Sequence, residues 1–209
     1  MARMVERGFT VVELLVTAAV FSIITTGVLS MVASTYQRYA NESSRNEVIW
    51  QGRAAIDLMV RELRAAGYPP ANTHAVAGVT PPNSNLVATT FLTATGTQVV
   101  FEADLDDNRI VERVEYRLNG STLKRSAVSK NANGSVPAAD YQALATNINN
   151  GVTAVFTYAT DPYGALPWPG NINSVGILLL LKTASPDPKN FQYQTLRFDG
   201  VAYRRNPDR

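Results

Sequence analysis

Residues 9–33 form an apolar run whose only formal charge is Glu13. No other feature of the chain constrains its fold as much, since about 20 apolar residues suffice to span a bilayer as a helix. The preceding residues, MARMVERG, carry Arg3 and Arg7 against Glu6. Positive charge ahead of the run predicts that the N-terminus stays inside. A secretory signal has a shorter apolar core, with a small-residue cleavage site behind it, and no such site is evident here. The unusual junction lies in front, where Gly8 meets Phe9. Glu13 itself needs a reason, because a charge at the centre of a membrane helix costs about 2.5–3.5 kcal/mol on insertion scales. It is either an acid snorkelling to the membrane surface or one kept for a partner.

The helical pattern continues past the apolar run. Residues 34–48 are polar and hold no Pro or Gly. Beyond them Ile49, Gly52, Ile56, Met59, Leu63 and Ala66 recur at three and four residues, one face of a helix, with Arg53, Asp57, Arg61 and Arg64 largely off it. Gly67 and Pro69-Pro70 end the pattern. A continuous helix from Phe9 to Ala66 would be roughly 87 Å long. Its first half suits a membrane or filament core, and its second half suits packing on a domain.

That domain reads as β. Strands are expected at 86–92, 98–102, 110–118, 121–125, 152–158, 175–183 and 193–203, with a helical turn near 138–145. Asn119-Gly120 is a two-residue hairpin signal. The expected arrangement is α+β, a long helix packed by its second half on an antiparallel sheet. The chain divides into residues 1–8, 9–33, 34–67 and a β-rich domain at 68–209.

Composition removes several function classes. The 209 residues fit one domain plus an appendage. With 19 basic and 17 acidic residues, the net charge of +2 is too balanced for a nucleic-acid footprint. There is no cysteine, which removes disulfides and thiol chemistry. The one histidine, His74, lies in a loop, and no hydrolase or phosphate-binding motif accompanies it. No catalytic residue emerges. Trp168, between Pro167 and Pro169, is either an exposed recognition aromatic or a loop residue folded back on the domain.

One acidic cluster, DLDDN at 104–108, places Asp104, Asp106 and Asn108 at positions 1, 3 and 5 of a calcium-loop pattern, with Glu115 at position 12. Position 6 favours Gly and holds Arg109, and a strand over 110–118 would carry Glu115 away. The plain alternative is an acidic turn between strands.

The junction Gly8-Phe9-Thr10-Val11-Val12-Glu13-Leu14-Leu15 resembles the class III signal of type IV pilins and type II secretion pseudopilins. The resemblance implies a leader ending at Gly8, cleavage between Gly8 and Phe9 by a prepilin peptidase, N-methylation of Phe9, and Glu13 at the fifth mature position. It implies that Glu13 pairs with the N-terminal amine of a neighbouring subunit and so sets assembly register. Major pilins usually carry a proline along the apolar segment; Ser30 stands there, which argues against a bulk fibre subunit. RAAIDLMVRELRAAGY, ALATNINNGVTAVFTYATDPYG and FDGVAYRRN resemble segments of PilW-like minor pilins. The implied partners are the prepilin peptidase, other minor and major pilins, an inner-membrane assembly platform and the lipid bilayer. The implied location is the inner membrane, single-pass, with a periplasmic C-terminal domain, before incorporation into a filament. A minor pilin that primes or caps a type IV pilus is the first reading, with no cofactor required and calcium at 104–108 the one candidate. A type II secretion minor pseudopilin is the second. A membrane-anchored binding module that never polymerises is the third.

Overall fold

A computed structural model describes residues 8–70, 84–162, 166–187 and 190–205. The expected leader residues 1–7, His74 and much of the connector lie outside these ranges.

Helix α1 runs unbroken from Val11 to Arg64, 54 residues. At 1.5 Å per residue that is about 81 Å. Its two halves meet different surroundings. From Gly8 to Ser43 no residue is buried, and only Thr25 and Asn41 are half-buried. Contact with the domain begins at Ser44, whose hydroxyl accepts from the Ala184 and Ser185 amides at 3.0 and 3.4 Å. From there Val48, Gly52, Ala55, Ile56, Met59, Glu62 and Leu63 are buried. The stripe differs from expectation at its first member, where Val48 is buried and Ile49 only half-buried. The helix stops as Gly67 turns left-handed (φ 83°), and the Arg205 amide caps the Arg64 carbonyl at 3.0 Å.

The described residues of the domain form eight antiparallel strands in two sheets, where one sheet was expected. The first is a meander of β1 (Phe91–Ala94), β2 (Gln98–Ala103), β3 (Glu112–Asn119), β4 (Thr122–Ser129) and β5 (Gln142–Ala145), in that order. The second places β7 (Ile172–Lys182) between β6 (Phe156–Thr160) and β8 (Thr195–Tyr203). An isolated antiparallel bridge pairs Ile148, beyond the end of β5, with Leu181 of β7. Phe101, Tyr116 and Leu123 from the first sheet, Ile177, Leu179 and Leu181 from the second, and Met59 and Leu63 from α1 share one core. The α+β arrangement therefore holds, with the helix lying mainly on β8 and also meeting β7 and β5.

Three local expectations are corrected. Residues 142–145 pair with β4 as an edge strand, with Ala145 opposite Leu123 and fully buried, so sheet pairing overrides the short helical pattern near 138–145. The β3–β4 hairpin turns on Gly120-Ser121, one residue later than expected, because Asn119 still pairs with Thr122 and Gly120 supplies the positive φ of 60°. The strand expected from 152 begins at Phe156, since Asn150–Thr153 form a turn. In that turn the Asn150 side chain donates to the Leu178 carbonyl and accepts from the Leu180 amide, at 2.9 and 2.8 Å.

The helix approaches β8 closely because both sides present glycine. A Cβ on Gly52 would stand 2.5 Å from the Phe198 ring, and one on Gly200 would stand 2.8 Å from Ile56 Cγ2. The helix is also tied to the first sheet by charge. Glu62, buried on α1, accepts from Arg125 Nε and Nη2 at 3.0 and 2.7 Å and from the Tyr116 hydroxyl. Burial and the Glu62 carboxylate push the Tyr116 phenol well above its ordinary pKa.

Candidate functional site

The front of α1 is built from a short set of residues. Thr10 is the N-cap, in extended conformation, and Glu13 is the third helical residue. The Glu13 amide donates to Thr10 Oγ1 at 3.2 Å, and Glu13 Oε2 accepts from the Thr10 amide at 3.0 Å. This is a reciprocal capping box, which satisfies two amides that the first helical turn would leave bare. It also sets the carboxylate at the positive end of the helix dipole. Glu13 therefore has a local role that the apolar pattern did not reveal, though Thr10 three residues ahead of a Glu was a legible signal for it. Both bonds from Thr10 side-chain and backbone donors go to Oε2, which leaves Oε1 outside the box.

Gly8 and Phe9 precede the helix in irregular backbone, and Phe9 is 81% exposed. Behind Phe9 the helix offers an uncovered apolar surface. The most apolar 18-residue window holds no buried residue, and the helix is long and apolar enough to cross a membrane. Phe21, Ile23, Leu29 and Met31 stand on different sides of it, all exposed. A helix apolar all round is suited to lipid or to helix neighbours on every side. Several hydroxyls within it turn back on their own backbone: Ser22 donates to the Ala18 carbonyl and Thr26 to that of Ser22, both at 2.8 Å. Such bonds hide polar groups from lipid. The Glu13 carboxylate is thus the one formal charge that this surface presents.

The acidic loop is a separate cluster between β2 and β3. One carboxylate oxygen from each of Asp104, Asp106 and Glu112 lies within 4.8 Å of the others. Glu112 was not singled out from the sequence. Antiparallel pairing explains it, because Glu112 stands opposite Ala103 and so beside Asp104. Asn108 braces the loop, its Nδ2 donating to Asp106 and its Oδ1 accepting from the Ile110 amide. Glu115 points to other company, accepting from Gln98 Nε2 at 2.9 Å on β2. Arg109, at the position where Gly was favoured, adopts the left-handed backbone itself (φ 70°). Burial raises the Glu112 pKa, and the Asp106 and Asp104 charges add to the effect.

Trp168 combines both expectations, since it is 53% exposed and meets Tyr158 edge-on at 5.7 Å. Asn133-Gly134-Ser135 is a turn, with the Ser135 amide donating to Asn133 Oδ1.

Residues 3–29 match the sequence signature described as the prokaryotic N-terminal methylation motif. It is a type IV pilin-like prepilin signal, carried by proteins of structural rather than catalytic role. The match spans the Gly8–Phe9 junction, Glu13 and the front of the apolar helix. A comparison with curated proteins returns no match.

Proposed function

We propose that this chain is a minor pilin of PilW-like type. A prepilin peptidase cuts it between Gly8 and Phe9, and Phe9 is N-methylated. The processed chain waits in the inner membrane with its domain on the periplasmic side, joins other minor pilins on the assembly platform, and primes or caps a type IV pilus. The chain makes no bonds itself; its work is helix packing.

The observation that supports this reading most is the junction set on a bare apolar helix. Cleavage at Gly8 creates a cationic amine at Phe9, four residues before Glu13. In a filament core, a carboxylate is tolerated when paired, and leaving it unpaired costs several kcal/mol. A neighbour's amine fits that need, and only one axial register supplies it. The unbroken helix without proline supports a minor rather than a bulk subunit.

Glu13→Gln tests the pairing separately from capping. Glutamine can keep the capping box with Thr10 but carries no charge. In the native host, the expected result is normal membrane insertion and processing with loss of piliation. A variant that both assembles pili and exports enzymes as the parent does would assign Glu13 to capping alone and favour an anchored, non-polymerising domain. If instead the variant leaves pili intact and abolishes export of secreted enzymes, the type II secretion pseudopilin reading replaces the pilus.

A further inference from the structure

Elsewhere in this domain buried acids face cations. Glu62 has Arg125, and Glu102, fully buried, has Lys130 at 3.0 Å and Arg113 at 3.0 Å. The cluster just beyond Glu102 breaks that pattern. Asp104 and Glu112 are each only 8% exposed, and Asp106 lies beside them at the surface. The hydrogen bonds they accept come from neutral donors. Arg109 and Leu105 give backbone amides to Asp104 Oδ2 and Glu112 Oε2, both at 2.9 Å, and Ser129 reaches Glu112 Oε1 at 3.4 Å. Among the described residues, none of the three carboxylates forms an ion pair. Asp104 Oδ1 is shielded from solvent and accepts no hydrogen bond. A buried carboxylate oxygen without a donor is costly, and three clustered acids without an ion pair compound the cost, since Arg64 and Arg205 line the cavity beside Asp104 but do not pair with it.

We propose that Asp104, Asp106 and Glu112 hold one calcium ion between the end of β2 and the start of β3. The donor set is all oxygen, with no histidine or thiolate to favour zinc or copper. Two oxygens on opposite sides of calcium stand about 4.8 Å apart, against about 4.2 Å for magnesium, which also demands a stricter octahedron. The three oxygens lie within 4.8 Å of one another, close enough to share one ion. The ion supplies the positive charge that Lys130 and Arg113 supply to Glu102. It also bears on the helix, because the Asp104 amide donates to the Tyr68 carbonyl and the Gly67 amide to that of Glu102, both at 2.8 Å. Filling the site therefore tightens the junction where α1 leaves for the sheet.

The test uses the full chain in detergent micelles, stripped with a chelator, and calcium chloride as the only added ligand. Calorimetry should show one saturable site per chain, with Kd about 0.1–1 mM, the range of weak calcium modules. At about a twentyfold excess over Kd, the melting temperature should rise by roughly 3–7 °C. Asp106→Asn, at an exposed position, should keep the fold, weaken binding at least tenfold and abolish the rise. Asp199→Asn, an exposed acid on β8, should change neither. No saturable binding and no rise up to 10-fold above the expected Kd range would overturn the site. So would an equal calcium response in Asp106→Asn, and equal affinity for magnesium would overturn the choice of ion.

Discussion

Replacing Arg125 by alanine should be among the most damaging single changes in the domain. Arg125 spans from β4 to the helix and holds Glu62 through two nitrogens, at 3.0 and 2.7 Å. The Glu62 side chain is 5% exposed and the Arg125 side chain 26%. Without Arg125 the carboxylate keeps only the Tyr116 hydroxyl and remains buried. Removing one partner of such a pair costs about 3–5 kcal/mol. With a urea slope of about 2 kcal/mol/M, the unfolding midpoint should fall by about 1.5–2.5 M. The apolar half of α1 stays helical in micelles, so far-ultraviolet circular dichroism would miss the event. Near-ultraviolet dichroism of the domain's aromatic residues is the better probe. Replacing the whole set, as Glu62→Leu with Arg125→Met and Tyr116→Phe, should restore most of the loss, because no charge is then left buried. A midpoint within about 0.5 M of the parent after Arg125→Ala would refute the reasoning and show that Glu62 reaches water.

Gly52→Ala should destabilise the domain by up to about 2 kcal/mol, because overpacking against Phe198 costs about 1–3 and helix propensity returns about 1. In a Phe198→Ala background the same change should become stabilising, and a double-mutant cycle by urea titration reads the change of sign. The phenols of Tyr116 and Tyr158 are both held above their ordinary range, chiefly by burial. Native protein should keep both protonated while exposed tyrosines ionise, as followed by absorbance at about 295 nm. The unfolded state releases these protons near pH 10. A raised folded pKa therefore leaves stability intact below that value and erodes it as pH climbs above; an early, complete titration without unfolding would contradict this. Glu13→Ala removes both the side-chain cap and the charge, so it should weaken the first helical turn by about 0.3–1 kcal/mol, seen as faster amide exchange near Leu14, with Glu13→Gln, which loses only the charge at the helix dipole, falling in between.

The long helix was legible because its signals agree. An apolar run, a polar stretch without breakers, a three-and-four stripe and the Gly67 stop all point one way. The capping pair Thr10–Glu13 was equally readable, but the apolar setting drew the explanation of Glu13 outward, to another subunit. Glu62 follows Ala55 and Met59 on the buried face, so its place was legible, although it was not singled out. The loop residues show the limit of linear patterns. A calcium-loop spacing selects Asn108 and Glu115, while antiparallel pairing opposite Ala103 delivers Glu112. The division into two sheets depends on which strands meet across the core, and alternation within single strands carries no record of that. The strand at Gln142–Ala145 exists because β4 offers an edge to pair with, a property of the fold and not of those four residues.

The mature N-terminus tests the central claim most directly. Intact mass and N-terminal peptide mapping would be made on a native membrane or filament fraction, for the parent chain and for Gly8→Ala. The account predicts a chain that begins at methylated Phe9, with processing lost in the variant. A chain that still begins at Met1 or Ala2 in the parent would contradict it, and leave an anchored domain whose apolar helix serves the bilayer alone.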